Sequence, residues 1–361
     1  MRTLIQNCIL FCASTAVATG CAADTSSSGA DVTLTGGDAV ESVCTVSEPL
    51  EPYGSIPVHS RVHQIITAGT ELLLSTDAGL LRWSRSHWDT VATGGHAYVL
   101  RDDTLFRIID GKLQLLHYTP GQPPMPVRAL GLMGNESSLA IVNDIAFLHA
   151  PTNQNNFLIT GRHLTDGTIS GYMMPVERDF QELFLHDFEQ LLDAASRLRS
   201  SGRWLLLLPY THNPARLVDL DSAKQYAIYT ARELRGRVVR GEIQVLENER
   251  TQECPTCTVH VTVRERRAPR IEAIHADAVF AENALWILGH VAPGSTAALL
   301  YRYPILNGRP APGSAWRLSG LETRPRSLWI RPDTLLVAAE DALYRFPHPA
   351  TGGAGECGRL R

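Results

Sequence analysis

Lysine is almost missing from this chain of 361 residues: only Lys112 and Lys224 occur, and every other basic residue is an arginine. The formal net charge is −4, and this near balance of acidic and basic residues gives no electrostatic case for nucleic-acid binding. Because nucleic-acid binding calls for a clustered basic face, we expect no nucleic-acid partner. Arginine pairs bidentately with carboxylates and stacks on aromatic rings, which could be a functional reason for its excess. A codon bias across the genome is the simpler explanation.

Long hydrophobic runs are missing as well. The mostly apolar segment from Leu4 to Ala18 is interrupted by Gln6 and Asn7. It falls short of the ~20 apolar residues that a helix needs to cross a bilayer, and no later segment is long enough either. A retained membrane-spanning helix is therefore the weakest interpretation of this segment.

Sequence signatures of catalysis are also missing: the chain has no nucleophile elbow, no HExxH zinc helix and no Walker loop. His59 and His63 are spaced i, i+4, which suits a metal ion only on a helix. Pro57 before them and Ile65 after them predict entry into a strand instead.

Two close aspartate pairs occur, Asp102 with Asp103 and Asp219 with Asp221. Such pairs can support acid–base or calcium chemistry. Both lie at or beside predicted strand ends, however, where aspartate commonly forms turns. We therefore predict no catalytic residue, no metal site and no cofactor.

The N-terminus has the layout of a secretory signal: Arg2, a short apolar segment and then small residues. The sequence Ala18-Thr19-Gly20-Cys21 resembles the lipobox of bacterial lipoproteins, although that family favours leucine at the position of Ala18. The resemblance implies a signal peptide over residues 1–20 and lipidation of Cys21. Ordinary secretory cleavage after Ala18 or Ala23 is the alternative, and it would leave a soluble periplasmic or secreted protein.

The residue behind Cys21 bears on the location. Ala22 is not the aspartate that, in the best-known retention rule for the lipoprotein family, holds a member at the inner membrane. The resemblance therefore implies the cell envelope, with the outer membrane favoured over the inner. The expected partners are the membrane, through the lipid anchor, and envelope proteins or polysaccharide.

Four cysteines remain once the signal and Cys21 are set aside, an even number that predicts disulfides in an oxidising compartment. Three pairings are possible. The simplest joins Cys254 to Cys257 locally, and Cys44 to Cys357 near the two ends of the folded region.

The CxxC of Cys254 and Cys257 also permits a redox or zinc site. Redox centres of the thioredoxin type place the first cysteine at a helix N-terminus, whereas residues 258–263 alternate like a strand. With His260 as a third ligand, zinc would still lack a fourth. The structural disulfide is therefore the favoured interpretation.

The domain organisation follows from composition. Residues 21–42 are rich in small and polar side chains and predict a flexible tether. Residues 43–357 form the predicted folded domain, which we expect to be all-β.

A strand-turn-strand pattern recurs within that domain. Its clearest copies are Leu72 to Trp83 and Thr334 to Phe346. The count reaches seven hairpins with several weaker copies and a strand pair from Arg237 to Arg264, which has the CxxC in its connection. The hairpins are about 44 residues apart on average. This spacing falls within the ~40 to 50 residues expected of a four-stranded propeller blade. The hairpins resemble those of bacterial β-propellers, which implies a propeller of about seven blades, although the uneven spacing also permits six or eight.

Residues 177–199 predict one α-helical insertion, because their apolar side chains recur at i, i+3 and i+4. Its stripe could pack over the propeller rim or bind a partner, in which case the contacting residues would be Phe180, Phe184 and Phe188.

The last hairpin lacks an outer strand, and residues 43–46 could supply it, with a disulfide from Cys44 to Cys357 at the closure. A propeller presents loops around a rigid disc, so we expect a binding or scaffolding protein of the envelope. The alternative is a carbohydrate-active enzyme, a hydrolase or lyase, whose acidic residues converge at the channel mouth.

Overall fold

A computed structural model describes residues 32–33, 37–45, 49–68, 71–84, 86–132, 138–150, 156–175, 196–210, 214–230, 244–254, 257–267, 274–290 and 296–349. These residues form 29 β-strands. The strands build a β-propeller of six four-stranded antiparallel blades around a central channel.

The first three blades follow the chain order. The strands of blade 1 are β4 Val62–Ala68, β5 Glu71–Thr76, β6 Gly79–Ser84 and β7 His87–Ala92. Those of blade 2 are β8 His96–Arg101, β9 Thr104–Ile109, β10 Lys112–His117 and β11 Met125–Gly131. Those of blade 3 are β12 Ser138–Val142, β13 Ile145–Ala150, β14 Asn156–His163 and β15 Ile169–Pro175.

Blades 4 and 5 follow the same plan. The strands of blade 4 are β16 Ser196–Ser201, β17 Trp204–Pro209, β18 Ala215–Asp219 and β19 Lys224–Tyr229. Those of blade 5 are β22 His275–Ala281, β23 Ala284–His290, β24 Ala298–Leu306 and β26 Gly313–Leu318, with the short β25 Arg309–Pro310 beside β24.

Blade 6 closes the ring with strands from both parts of the chain. Its first three strands are β27 Pro325–Ile330, β28 Thr334–Ala339 and β29 Ala342–Pro347, and its outer strand is β3 Gly54–Pro57. The pairing is antiparallel, with Leu343 opposite Ile56. An N-terminal strand therefore closes the last blade, but it is β3 and not residues 43–46.

The N-terminal segment also pairs with other blades. Strand β1 (Val32–Thr33) lies parallel to β15, and β2 (Gly37–Thr45) lies parallel to both β19 and β26, so that it bridges blades 4 and 5. Cys44 lies opposite Ser314 in this pairing. The tether predicted over residues 21–42 thus overlaps two strands.

The six blades lie within the range of six to eight that the uneven hairpin spacing permitted, and are one fewer than the seven hairpins counted. The pair predicted from Arg237 to Arg264 corresponds to β20 (Gln244–Cys254) and β21 (Cys257–Arg267), which form a separate two-stranded sheet and not a blade. Their register places Cys254 opposite Cys257. The 44-residue average was misleading because it counted this ribbon as a blade.

No helix occurs among the described residues, which corrects part of the predicted helix. Residues 196–199 at its C-terminal end belong to β16, because Arg-Leu-Arg also alternates as a strand requires. Phe180, Phe184 and Phe188 lie outside the described residues. The described part likewise holds no helix that is long and apolar enough to span a bilayer.

The hydrophobic core lies between the blades. The second strands β17, β23 and β28 are buried along nearly their whole length. Both faces of such a strand are covered by neighbouring blades, which explains why its sequence is a continuous apolar run. Trp286 stacks on Trp316 at 5.7 Å between ring centroids within this core.

The turn between β5 and β6 depends on a glycine. Gly79 has φ +119°, and a Cβ at this position would lie 2.2 Å from the carbonyl oxygen of Ala92. Glycine alone relieves both constraints. The turn that joins the two strands of the predicted hairpin Leu72 to Trp83 is therefore structural.

Candidate functional site

The central channel is enclosed by the inner strands of the six blades, β4, β8, β12, β16, β22 and β27, each of which contacts the next around the ring. Two cavities lie along it, with volumes of about 290 and 200 Å³. The larger is lined by all six inner strands. The smaller lies where these strands begin, and we call this end of the channel the entry end.

The two ends of the channel differ in their connections. The turns from first to second strand lie at the opposite end and are tight, as at Asp102, Asn143 and Asn283, which have positive φ angles. Asparagine and aspartate tolerate that conformation. The longer connections, including those after Pro175 and Tyr229, start from the entry end. The strand ends from which these longer connections start therefore lie at the entry end, and loops at such a position on a rigid scaffold commonly bind ligands.

Strand β16 supplies two arginines to the entry end. Arg197 and Arg199 are two residues apart and therefore point to the same side of the strand, while Leu198 between them is fully buried in the core between blades. Each arginine side chain is 14% exposed. Alternation along β16 thus directs both guanidinium groups into the channel.

A carboxylate from blade 5 lies between these arginines. Asp277 Oδ1 lies 3.2 Å from Arg197 Nη1, 3.0 Å from Arg199 Nε and 2.6 Å from Arg199 Nη2. The contact with Arg199 Nε is a hydrogen bond, and the other two are ion-pair contacts. Asp277 accepts further hydrogen bonds from two backbone amides and one hydroxyl, those of Ala278, Leu328 and Ser327. We call Arg197, Asp277 and Arg199 the channel triad.

Arg197 extends across the channel. Its Nη2 donates to the carbonyl oxygen of His63 on β4 at 3.1 Å, and its Nη1 donates to that of Arg326 on β27 at 3.2 Å. Its Nε donates to the hydroxyl of Tyr210 at 3.0 Å. One side chain therefore ties blade 4 to blades 1 and 6.

The channel triad stays ionised. Burial acts to raise the pKa of Asp277, but Arg199 and Arg197 outweigh it and hold the pKa below its ordinary value. Burial acts to lower the pKa of Arg197, and Tyr210 and Asp277 outweigh that effect and raise it. Burial also lowers the pKa of Arg199, and Asp277 offsets this only in part. Both arginines remain cationic near neutral pH, so the triad carries one net positive charge.

A second carboxylate at the entry end is also shared by two arginines. Glu340 accepts a short hydrogen bond from Arg326 and lies 3.7 Å from Arg61. The bond from Arg326 lowers its pKa, and burial opposes this. Guanidinium groups therefore outnumber carboxylates in both clusters.

The rim of the entry end carries a histidine and aspartate pair. His63 Nε2 lies 2.6 Å from Asp77 Oδ1, and both side chains are exposed. The i, i+4 pair of His59 and His63 does not lie on a helix, in agreement with the sequence. The described residues include no group of three or more histidines, cysteines, aspartates or glutamates placed to hold a metal ion.

The aspartate pairs singled out in the sequence lie away from the entry end. Asp102 occupies the tight turn after β8, and Asp219 accepts hydrogen bonds from the Asp221 amide and the Ser222 hydroxyl in the turn after β18. Both turns are at the opposite end of the channel. The structure therefore does not bring these carboxylates together with the channel triad.

The remaining site residues named from the sequence are not tested. Cys21, Phe180, Phe184, Phe188 and Cys357 lie outside the described residues.

Sequence reasoning missed the channel triad. Arg197 and Arg199 belong to the last residues of the predicted helix 177–199, and Asp277 belongs to no motif because the rest of β22 is mostly apolar. The available signal was an aspartate within the mostly apolar strand β22, since a charged residue is seldom buried without a partner.

Comparison with known proteins leaves the family open. No protein-family model matches the chain, and no curated protein matches its sequence. BamB from Moraxella catarrhalis has 8% sequence identity and a TM-score of 0.42, over 86% of this chain and 95% of that one. Virginiamycin B lyase from Staphylococcus aureus has 10% identity and a TM-score of 0.44, over 82% and 99%. Function must be inferred from the site itself.

Proposed function

We propose that this protein is a binding or scaffolding protein of the bacterial cell envelope, anchored by a lipid on Cys21, which receives its partner at the entry end of the propeller. The observation that carries the proposal is the channel triad. Two buried guanidinium groups share one carboxylate, and the resulting positive charge lies at the end of the channel from which the longer connections start.

The geometry supports binding because the cluster is rigid. Besides contacts within its own blade, Arg197 contacts blades 1, 5 and 6, and Asp277 contacts blades 4 and 6. Groups held in place before a ligand arrives lose little freedom on binding. Charge of one sign at a channel mouth also steers a partner of opposite charge.

A carbohydrate-active hydrolase or lyase is less well supported by this geometry. Glycoside hydrolysis commonly requires two carboxyl groups, one of them protonated as a general acid. Among the described residues that line the channel, Asp277 is the one carboxylate. It is ionised, and both of its oxygens are already hydrogen-bonded.

Site-specific photo-crosslinking in the bacterium that produces the protein tests the entry end. A photoreactive amino acid at Asp341, an exposed residue between β28 and β29, faces the entry end. The matched control is Asp144, an exposed residue in the tight turn at the opposite end. We expect a defined crosslinked product from position 341 and none from 144. Equal products from both positions, or a product from 144 alone, would contradict the proposal.

Mass spectrometry of the mature N-terminus tests the anchor. We expect a diacylglyceryl group on Cys21, and a Cys21→Ser variant should move from the membrane fraction to the soluble fraction. An unmodified N-terminus at Thr19 or Asp24 would remove the anchor from the proposal and leave the binding surface unaffected.

A further inference from the structure

We propose that the 200 Å³ cavity at the entry end binds a compact oxyanion group, a carboxylate or a phosphate, beside Arg197 and Arg199. This inference rests on the proposed function and names the chemistry of its ligand. It follows from the donors that line the cavity, the charge around it and its volume.

The cavity is rich in hydrogen-bond donors. Its polar lining includes Gln64, Ser75, Ser138, Arg197, Arg199 and Tyr210. The Ser138 hydroxyl accepts a bond from the Leu198 amide at 2.7 Å, and the Tyr210 hydroxyl accepts one from Arg197. Each hydroxyl still has its hydrogen to donate. An anion needs such a set of converging donors.

Arg199 has donors that its protein contacts do not satisfy. Its Nη2 is buried and close to Asp277 Oδ1, but it makes no hydrogen bond of acceptable geometry. Its Nη1 donates to the Leu198 carbonyl oxygen at 3.0 Å, which uses one of its two hydrogens. A buried donor without an acceptor is unfavourable, and an oxyanion would supply the acceptor.

The charge balance also favours an anion. Asp277 carries one negative charge, so it offsets the charge of only one of the two arginines of the channel triad. The nearby carboxylates are already paired, Asp77 with His63 and Glu340 with Arg61 and Arg326. Because the site is largely shielded from water, an added negative charge interacts with the arginines more strongly than it would in bulk solvent.

The volume limits the ligand to a small group. At ~30 Å³ for each water, the cavity has the volume of about seven waters. Phosphate fits as a free ion, and a carboxylate fits either as a small acid or as the C-terminus of a peptide that enters from the rim. The planar fork of arginine matches both groups.

Isothermal titration calorimetry on the full mature domain tests the site. The probes are inorganic phosphate, acetate, and one short peptide prepared with a free and with an amidated C-terminus, at constant ionic strength set with chloride. We expect binding of at least one oxyanion probe. Arg199→Gln should weaken it at least about tenfold, because this variant removes the excess charge and keeps the pair of Arg197 and Asp277.

A second variant keeps the inference testable if Arg199→Gln does not fold. Gln64→Glu places a carboxylate in the cavity wall without altering the channel triad. We expect it to abolish oxyanion binding and to raise the melting temperature of the ligand-free protein. Asp144→Asn, at the opposite end, should bind as the wild type does.

The outcomes distinguish a free anion from a peptide C-terminus, and they test the oxyanion site separately from the proposed function. Binding of the free-carboxylate peptide but not of its amide identifies a peptide C-terminus, whereas binding of phosphate or acetate alone identifies a free anion. Absence of binding to every probe, or unchanged affinity in Arg199→Gln and Gln64→Glu, overturns the oxyanion site. If crosslinking from position 341 persists in that case, the proposed function stands without it.

Discussion

Asp277 has the largest set of partners of any residue in the channel. It accepts hydrogen bonds from three blades and lies between two guanidinium groups. Burial of one carboxylate with two arginines is tolerated only while every member is paired, since an unpaired buried charge is strongly unfavourable. The entry end should therefore be sensitive to the loss of this single charge.

Asp277→Asn should lower the free energy of unfolding by about 3–5 kcal/mol. The substitution leaves two buried guanidinium groups without a counter-charge, although it changes the shape of the side chain little. Urea unfolding followed by circular dichroism measures the loss. Asp341→Asn is the matched control, because Asp341 is exposed and accepts one bond, from Thr323, so its loss should be below about 1 kcal/mol. A similar small loss in both variants would contradict the role given to Asp277.

His275 makes stability depend on pH. Burial lowers its pKa to about 4, although the carbonyl oxygen of Pro209 partly opposes this. Its Nδ1 lies 2.6 Å from that oxygen and its Nε2 lies 2.8 Å from the Thr230 hydroxyl. The neutral ring fits these contacts by donating from Nδ1 and accepting at Nε2. In the unfolded chain its pKa returns to about 6.5.

The stability contributed by neutral His275 is therefore complete above pH 6.5 and is lost as the pH falls toward 4, because only the unfolded state then gains the proton. The free energy of unfolding is measured at pH 7.5 and at pH 4.5 in both proteins. The loss of stability between these pH values should be about 2–3 kcal/mol smaller in His275→Gln than in the wild type. His149 and His290 titrate in both proteins and cancel in the comparison. Equal pH dependence in the two proteins would show that His275 is not buried as a neutral ring.

At the scale of elements, the outer strand β3 decides whether blade 6 is complete. It has only four residues, but it covers the edge of β29 and buries Ile56 opposite Leu343. An uncovered edge strand exposes a row of unpaired backbone groups and pairs with other chains. Strand β2 lies elsewhere, between β19 and β26.

Two truncated chains distinguish the contribution of β3 from that of β1 and β2. A chain that starts at residue 49 keeps β3 and should remain monomeric with a lower melting temperature, because it loses the pairings of β1 and β2 and, with Cys44, the predicted disulfide to Cys357. A chain that starts at residue 59 lacks β3 and should aggregate or form dimers through β29. Size-exclusion chromatography and thermal unfolding distinguish them. Equal behaviour of the two chains would mean that β3 does not close the ring.

At the scale of the whole molecule, the two ends of the folded chain meet in the same region of the propeller. Strands β2 and β3 pair with β26 and β29, which lie more than 260 residues later in the chain. The proposed disulfide from Cys44 to Cys357 would join these ends covalently. It stays a prediction, as does the local pairing of Cys254 with Cys257, whose backbones face each other across the ribbon.

Cys357→Ser should lower the free energy of unfolding by ~4–5 kcal/mol, because a bond across so long a loop restricts the unfolded chain strongly. The paired variant Cys254→Ser/Cys257→Ser removes a disulfide that closes a far shorter loop, so its free energy of unfolding should fall by less. Thermal unfolding under oxidising and reducing conditions measures both. An unchanged melting temperature in Cys357→Ser, or no effect of reductant on the wild type, would exclude the long-range disulfide.

Local features of the sequence were sufficient for the blades but not for their number. The hairpins Leu72 to Trp83 and Thr334 to Phe346 were predicted because each strand and its turn are adjacent in sequence. The ribbon of β20 and β21 looks the same locally, and only its lack of a blade partner in the structure separates it. Residues 196–199 show the same ambiguity, because a short alternating segment suits either a helix end or a strand.

The sequence by itself determined the all-β propeller class and the turns, because alternation and turn residues act over a few neighbouring positions. Only the tertiary structure decided that there are six blades, that β3 closes them, and that Asp277 meets Arg197 and Arg199. These contacts join residues about 80 to nearly 300 positions apart. Such pairings depend on how complete blades pack around the axis, and no pattern within a single strand records that packing.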